Sequence, residues 1–291
     1  DSHSRLLAGG LKRGMPAFVL LLLFVSGACS LIYQVAWARM LTLVFGTTLL
    51  AVGTVLSAFM AGLALGNFLL GRWADRVHHP LRLFALLEAG VGLYAFLLPL
   101  LAGGLDEFMA WLFAVPGNHT LYSFVRFCLS FLLLLLPTVM MGATLPAVTR
   151  FAVKQYSSLG MSLGRLYAAN TLGAVGGVLI VTFVLMEQFG LRGSTYVAAM
   201  VNLIVALIAW RWGRDPGGTS PQADLPQADL PQADVTSSAL DPVLRVVLIG
   251  FGFSGFAALG YEVAWTRVVR VAFSMVSHYE FSLVLAAFLV G

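Results

Sequence analysis

Charge is what this sequence lacks. Only 10% of its 291 residues are charged, while 59% are hydrophobic; ordinary soluble domains carry about 25% charge. So few polar side chains cannot cover the surface of a water-soluble fold of this size. Cysteine is nearly absent too. Cys29 and Cys128 fall in different apolar runs, which excludes a disulfide scaffold, and both read as small buried hydrophobes. The alternation of barrel strands is missing, and the apolar runs are too long for such strands, so an outer-membrane barrel is excluded. There is no nucleophile elbow, phosphate-binding loop, dinucleotide fingerprint or HExxH. No catalytic residue is therefore assigned. No short apolar core precedes a cleavage site, so no removable signal peptide is expected. What remains is an all-α, polytopic transmembrane helical bundle.

A crossing helix needs roughly 20 apolar residues. Such runs lie at about 16–37, 48–70, 81–101, 121–148, 166–186 and 194–210. A seventh covers about 243–263, and an eighth begins near Glu280. The chain divides into a tail (1–15), a six-helix half (16–212), a polar linker (213–242) and a further membrane stretch (243–291). With the N-terminus in the cytoplasm, Arg5, Lys12, Arg13, Arg72, Arg76, Arg82, Arg150, Lys154, Arg165, Arg211, Arg214 and Arg245 all fall on the cytoplasmic side. Arg39, Arg126, Arg192, Arg267 and Arg270 fall on the far side or in the membrane. This loop bias accounts for the basic pI near 9.3. No aromatic-basic patch lies outside the membrane, so nucleic acid is not an expected partner; the lipid bilayer is.

Within the linker, Pro221-Gln222-Ala223-Asp224-Leu225 recurs at 226–230 and, ending in Val235, at 231–235. The tract has no apolar periodicity and reads as a flexible tether. A longer repeat spans it. SGACSLIYQVAWARMLTLVF (26–45) and SGFAALGYEVAWTRVVRVAF (254–273) share Ser26/Ser254, Gly27/Gly255, Tyr33/Tyr261, Trp37/Trp265 and Arg39/Arg267, among others. In the next helix Val55, Leu56, Ala58, Phe59 and Gly62 pair with Val284, Leu285, Ala287, Phe288 and Gly291. Six spans separate the copies, so both run the same way, as in the parallel halves of major-facilitator-type transporters. Gly291 falls early in the second helix of the second copy, so the protein is expected to continue beyond it with the rest of a second half.

Polar groups inside the membrane are the functional candidates. Glu88 lies about two turns into the third span and Asn170 about one turn into the fifth, both from the cytoplasmic side. Arg126 enters from the opposite side, too far along the helix to meet Glu88. Glu88 reads either as a substrate or proton site or as a packed structural carboxyl. The doubled Tyr-x-x-x-Trp-x-Arg (Tyr33, Trp37, Arg39; Tyr261, Trp265, Arg267) reads either as an interfacial aromatic belt or as the lining of a cavity between halves. The second copy alone carries an acid there, Glu262 in place of Gln34. Gly62 with Gly66, and Gly173 with Gly177, have the small-xxx-small spacing of close helix contacts. His78 and His79 are adjacent and would diverge on a helix, so no metal site is expected.

The loop Gly71-Arg72-Trp73-Ala74-Asp75-Arg76 resembles the cytoplasmic motif of the major facilitator superfamily. That resemblance implies close helix approach at Gly71 and a latch between halves at Asp75 and Arg76. His78, His79 and Pro80 replace the family's next glycine and basic pair. With SGACSLIYQVAWAR, GLALGNFLLGRWADR, LLPTVMMGATLPAVTR and GRLYAANTLGAVGG, nearly the whole chain resembles the membrane portion of bacterial fused major-facilitator/spermidine-synthase-like proteins. The resemblance implies residence in the bacterial inner membrane. It also implies a soluble aminopropyltransferase domain after the membrane part, using decarboxylated S-adenosylmethionine and a polyamine. No cofactor is expected in these residues themselves. Three functions remain: handling a small cationic amine for such a domain, anchoring it or another membrane complex, and free-standing transport.

The linker has nothing to bury, and loop-closure cost changes slowly with length. Deleting one PQADL unit should leave expression and any transport activity unchanged; a clear loss would identify the tract as a docking element.

Overall fold

In hydrocarbon every backbone N–H and C=O must be paired within the protein, and helices do this within one segment. The computed structural model describes residues 17–45, 48–71, 77–113, 119–155, 159–213, 242–273 and 280–290, and contains no strand among them. Helix α1 is Ala17–Phe45. Helix α2 is Thr48–Leu65, extended by a π-helical turn at Gly66–Leu70. Helix α3 is Pro80–Phe113 and α4 is His119–Gln155. Helix α5 is Leu159–Ile180, extended by a second π turn at Val181–Leu185, and α6 is Met186–Trp212. Helix α7 is Pro242–Phe273 and α8 is Glu280–Val290.

Among the described residues six stretches are long and apolar enough to cross a membrane, and one of them, Leu163–Trp212, runs through most of α5 and all of α6. Straight, its 50 residues would reach about 75 Å, more than twice a hydrocarbon core. Gly190 breaks it, with φ 65° and ψ −172°. Only glycine adopts that backbone without strain. Ser194 Oγ then donates to the Gly190 carbonyl at 2.6 Å, which restores a partner at the break.

The observed helices overrun the apolar runs. Helix α3 continues to Phe113, so Gly104 lies in a helix rather than in a connection. Hydropathy marks the edge of the hydrocarbon, whereas a helix that satisfies its own backbone extends past it freely. The linker residues 214–241 lie outside the described residues.

Between lipid-facing helices there is no hydrophobic drive to associate, so close backbone contact must hold them. Helix α1 packs along α5 and α6, α2 along α4, and α3 along α4 and α6. A Cβ on Gly173 would overlap the Phe24 carbonyl, and one on Gly177 the Ala28 backbone. At the α2–α4 crossing, a Cβ on Gly62 would overlap the Thr138 side chain and one on Gly66 the Val139 carbonyl. From the other side, Gly142 meets the Leu63 backbone in the same way. Helix α7 is exposed along most of its length, while α8 rests on α5 and α7.

Gly62→Leu should therefore lower thermal stability in detergent by about 3 kcal/mol or more, the upper range for overpacking. A Cβ on Gly104 would meet nothing within 4 Å, so Gly104→Leu should stay within about 0.5 kcal/mol of the parent. Equal effects would remove the close-packing account.

Candidate functional site

Ser26, Cys29, Tyr33 and Trp37 follow one another at spacings of three and four, which sets them on one stripe of α1. All four are buried. Pro80 opens α3, and two turns later Glu88 reaches this stripe. Ser26 Oγ donates to Glu88 Oε1 at 2.5 Å, and Ser30 Oγ donates to the Ser26 carbonyl at 3.0 Å. Glu88 is 2% exposed. Among the described residues no basic side chain pairs with it. With one hydroxyl as partner, its carboxyl keeps room to accept from a second donor.

Tyr33 and Trp37 are fully buried and stack with ring centroids 4.9 Å apart, 22° from parallel. Phe59 of α2 closes the group, 5.9 Å from Trp37. The Tyr33 hydroxyl and the Trp37 indole N–H make no hydrogen bond in this core. These aromatics are therefore not an interfacial belt. Their counterparts Tyr261 and Trp265 lie on α7 and are 65% and 57% exposed. Glu262, between them in sequence, is buried.

Asn170 of α5 sets its backbone and side-chain carbonyls against Gly27. Glu88 and Asn170 thus meet α1 at consecutive residues, at the similar depth their positions imply. Arg126 is elsewhere. Its guanidinium lies 5.0 Å over the Tyr122 ring. The Tyr94 hydroxyl donates to the Leu133 carbonyl at 2.7 Å, which fixes the register of α3 against α4. In that register Arg126 sits about 20 Å along the helix from the level of Glu88.

Of the proposed latch, Asp75 and Arg76 lie outside the described residues. Gly71 ends α2 with space for a methyl group, 3.8 Å from Pro146. No described neighbour at Gly71 stands close enough to require a glycine; the close approach of α2 to α4 is made at Gly62 and Gly66. Sequence reasoning missed a contact on this side. Arg82 Nε donates to the Gly213 carbonyl at 2.9 Å, and its guanidinium lies 5.6 Å over the Trp210 ring. The start of α3 thereby caps the end of α6, where a cation meets the negative end of the helix dipole. A lone Arg at a helix start gives no sequence signal for a partner 131 residues away.

A polytopic helical membrane protein with paired close crossings and a buried carboxyl is the class that fold and site define. Residues 18–291 match the Major Facilitator Superfamily model, and the chain belongs to that family. It is also similar to Polyamine aminopropyltransferase 1 of Streptomyces coelicolor (strain ATCC BAA-471 / A3(2) / M145), 25% identical over 200 residues. That alignment covers 67% of this chain and 34% of the relative, so the chain spans about a third of the relative's length. No solved structure matches the chain.

Ser26→Ala and Glu88→Gln should each lower the melting temperature in detergent. Combined, they should cost less than the sum of the two by about 0.5–3 kcal/mol, as residues in contact do. Simple additivity would mean that the short hydrogen bond contributes nothing.

Proposed function

We propose that this chain is the membrane part of a spermidine-synthase-like fusion protein of the bacterial inner membrane, and that its six-helix half handles a small cationic amine. The observation that carries the reading is Glu88. Among the described side chains of α1–α6 it is the one buried acid, and it holds a single hydrogen bond. An ionisable group inside a membrane bundle is costly and marks a path or a binding point. A carboxyl with spare acceptor capacity suits an ammonium group. Asn170, one residue away along α1, adds carbonyl acceptors at the same level. The likeness to an aminopropyltransferase supports an amine as the cargo. The soluble domain, its polyamine and its decarboxylated S-adenosylmethionine belong to the fusion outside these residues, and no side chain here is assigned to them. The N-terminus is placed in the cytoplasm on the strength of the Lys and Arg bias. Asp75 and Arg76 would latch the two halves on that side.

A second reading, a membrane anchor without transport, is favoured by one specific feature. Glu88 and Tyr33 are closed in by α1–α6 themselves rather than standing open on a face of the half.

Uptake of a labelled diamine into proteoliposomes separates the two readings. Glu88→Gln should abolish uptake while the protein still inserts. Normal uptake with Glu88→Gln would assign Glu88 to structure, and no uptake with the parent protein would favour the anchor.

A further inference from the structure

We propose that α4 is hinged at Pro137 and that the Tyr94 hydroxyl of α3 is the latch that holds the hinge closed. Pro137 lies inside α4 and has no N–H. The carbonyl four residues earlier, on Leu133, therefore loses its partner within the helix. That carbonyl accepts the Tyr94 hydroxyl at 2.7 Å. A residue from another helix thus replaces the hydrogen bond that proline removes.

The two sides of Pro137 are held very differently. Of residues 121–136 only Ser130 and Leu134 are buried, whereas eight of the twelve residues 137–148 are. On the C-terminal side α4 is locked to α2. Thr138 Oγ1 reaches the Ala58 carbonyl at 3.2 Å as well as Leu134 and Leu135 of its own helix, at 2.9 and 3.0 Å. Gly62, Gly66 and Gly142 bring the two backbones together over the same stretch. On the N-terminal side, the buried Ser130 hydroxyl makes no hydrogen bond. A half-helix that carries Pro146 and is anchored to α2 therefore adjoins a half-helix with few buried residues, and the joint between them is a proline whose freed carbonyl accepts one outside donor. Losing that bond leaves the Leu133 carbonyl without its outside donor and loosens α4 at Pro137, while the α2–α4 crossing keeps its own contacts. The hinge stands at the level of Glu88 in the α3–α4 register, but it does not rest on the amine reading.

The test uses pairs of nitroxide labels on the full chain in lipid nanodiscs, with Cys29→Ala and Cys128→Ala as background. One pair joins Phe124 on the loose half of α4 to Met200 on α6. The other joins Thr149 on the anchored half to Met200. Tyr94→Phe should add a second, longer-distance population to the 124–200 pair and leave the 149–200 pair unchanged. Pro137→Ala restores the helix's own donor to the Leu133 carbonyl, so adding it to Tyr94→Phe should return the single population. In a Pro137→Ala background Tyr94→Phe should also leave the melting temperature unchanged, which keeps the test available where Tyr94→Phe alone expresses poorly. An unchanged 124–200 distance, an equal change in both pairs, or failure of Pro137→Ala to rescue would each overturn the hinge.

Discussion

A carbonyl or amide left without a partner in hydrocarbon costs several kcal/mol, and every irregularity of this bundle has to meet that cost. Helices meet it along their length. The trouble comes where a helix is interrupted or ends, and at three such places the chain supplies a side-chain donor. Ser194 donates to the carbonyl of Gly190, where φ turns positive. Tyr94 donates to the carbonyl that Pro137 leaves open. Arg82 does the same for the carbonyl of Gly213 at the end of α6. The buried hydroxyls of Thr138, Thr144, Ser194 and Thr195 are thus committed to backbone. Glu88 stands out because its partner is a side chain and its acceptor capacity is not used up.

The second constraint is the lack of hydrophobic attraction between helices in lipid. Dispersion and close approach must replace it, so glycine and alanine sit where helices cross. At two crossings, α1 on α5 and α2 on α4, glycines on α5, α2 and α4 allow the backbones to touch. The pair α3 and α6 is different. A Cβ on Gly92 would stand 3.0 Å from the Ala199 carbonyl and 3.2 Å from the Leu203 side chain, tight but short of the overlaps at the other crossings. Phe96 stacks on Tyr196 with centroids 5.4 Å apart. Side chains fill much of this interface. Helix α3, which carries both Glu88 and Tyr94, is therefore packed on α6 largely through side chains, while α1 and α2 are pinned by backbone contacts.

Much of this architecture was legible in the sequence. Apolar run length gave the spans because hydrocarbon thickness is a fixed length. Glycines four apart gave the packing faces of α2 and α5, since that spacing survives any choice of partner. The partner itself was not legible. Nothing in the sequence pairs Tyr94 with Leu133 or Arg82 with Gly213, because these contacts depend on how helices far apart in the chain are rotated. Gly142 and Gly27 have no glycine four residues away in register with their contact, so they carried no spacing signal. At Gly71, where the resemblance to a family motif implies close helix approach, no described neighbour is that near. Asp75 and Arg76 lie outside the described residues, so that latch rests on sequence alone.

The internal repeat shows how far sequence likeness constrains environment. Tyr33 and Trp37 are sealed by α2, α3, α5 and α6, whereas their counterparts on α7 remain exposed where α8 is the main neighbour. Gln34 is buried and neutral on α1, and the acid that reaches this helix comes from α3 as Glu88. On α7 the acid is part of the helix itself, as Glu262, and it too is buried. Among the described residues, one buried carboxyl thus lies against α1 and another on α7, by different routes. Drift at a solvent-facing or lipid-facing position would not be constrained to keep an acid buried, because burial of an ionisable group is costly. On the proposed amine-handling reading, these two carboxyls are the ones, among the described residues, that a cation would meet.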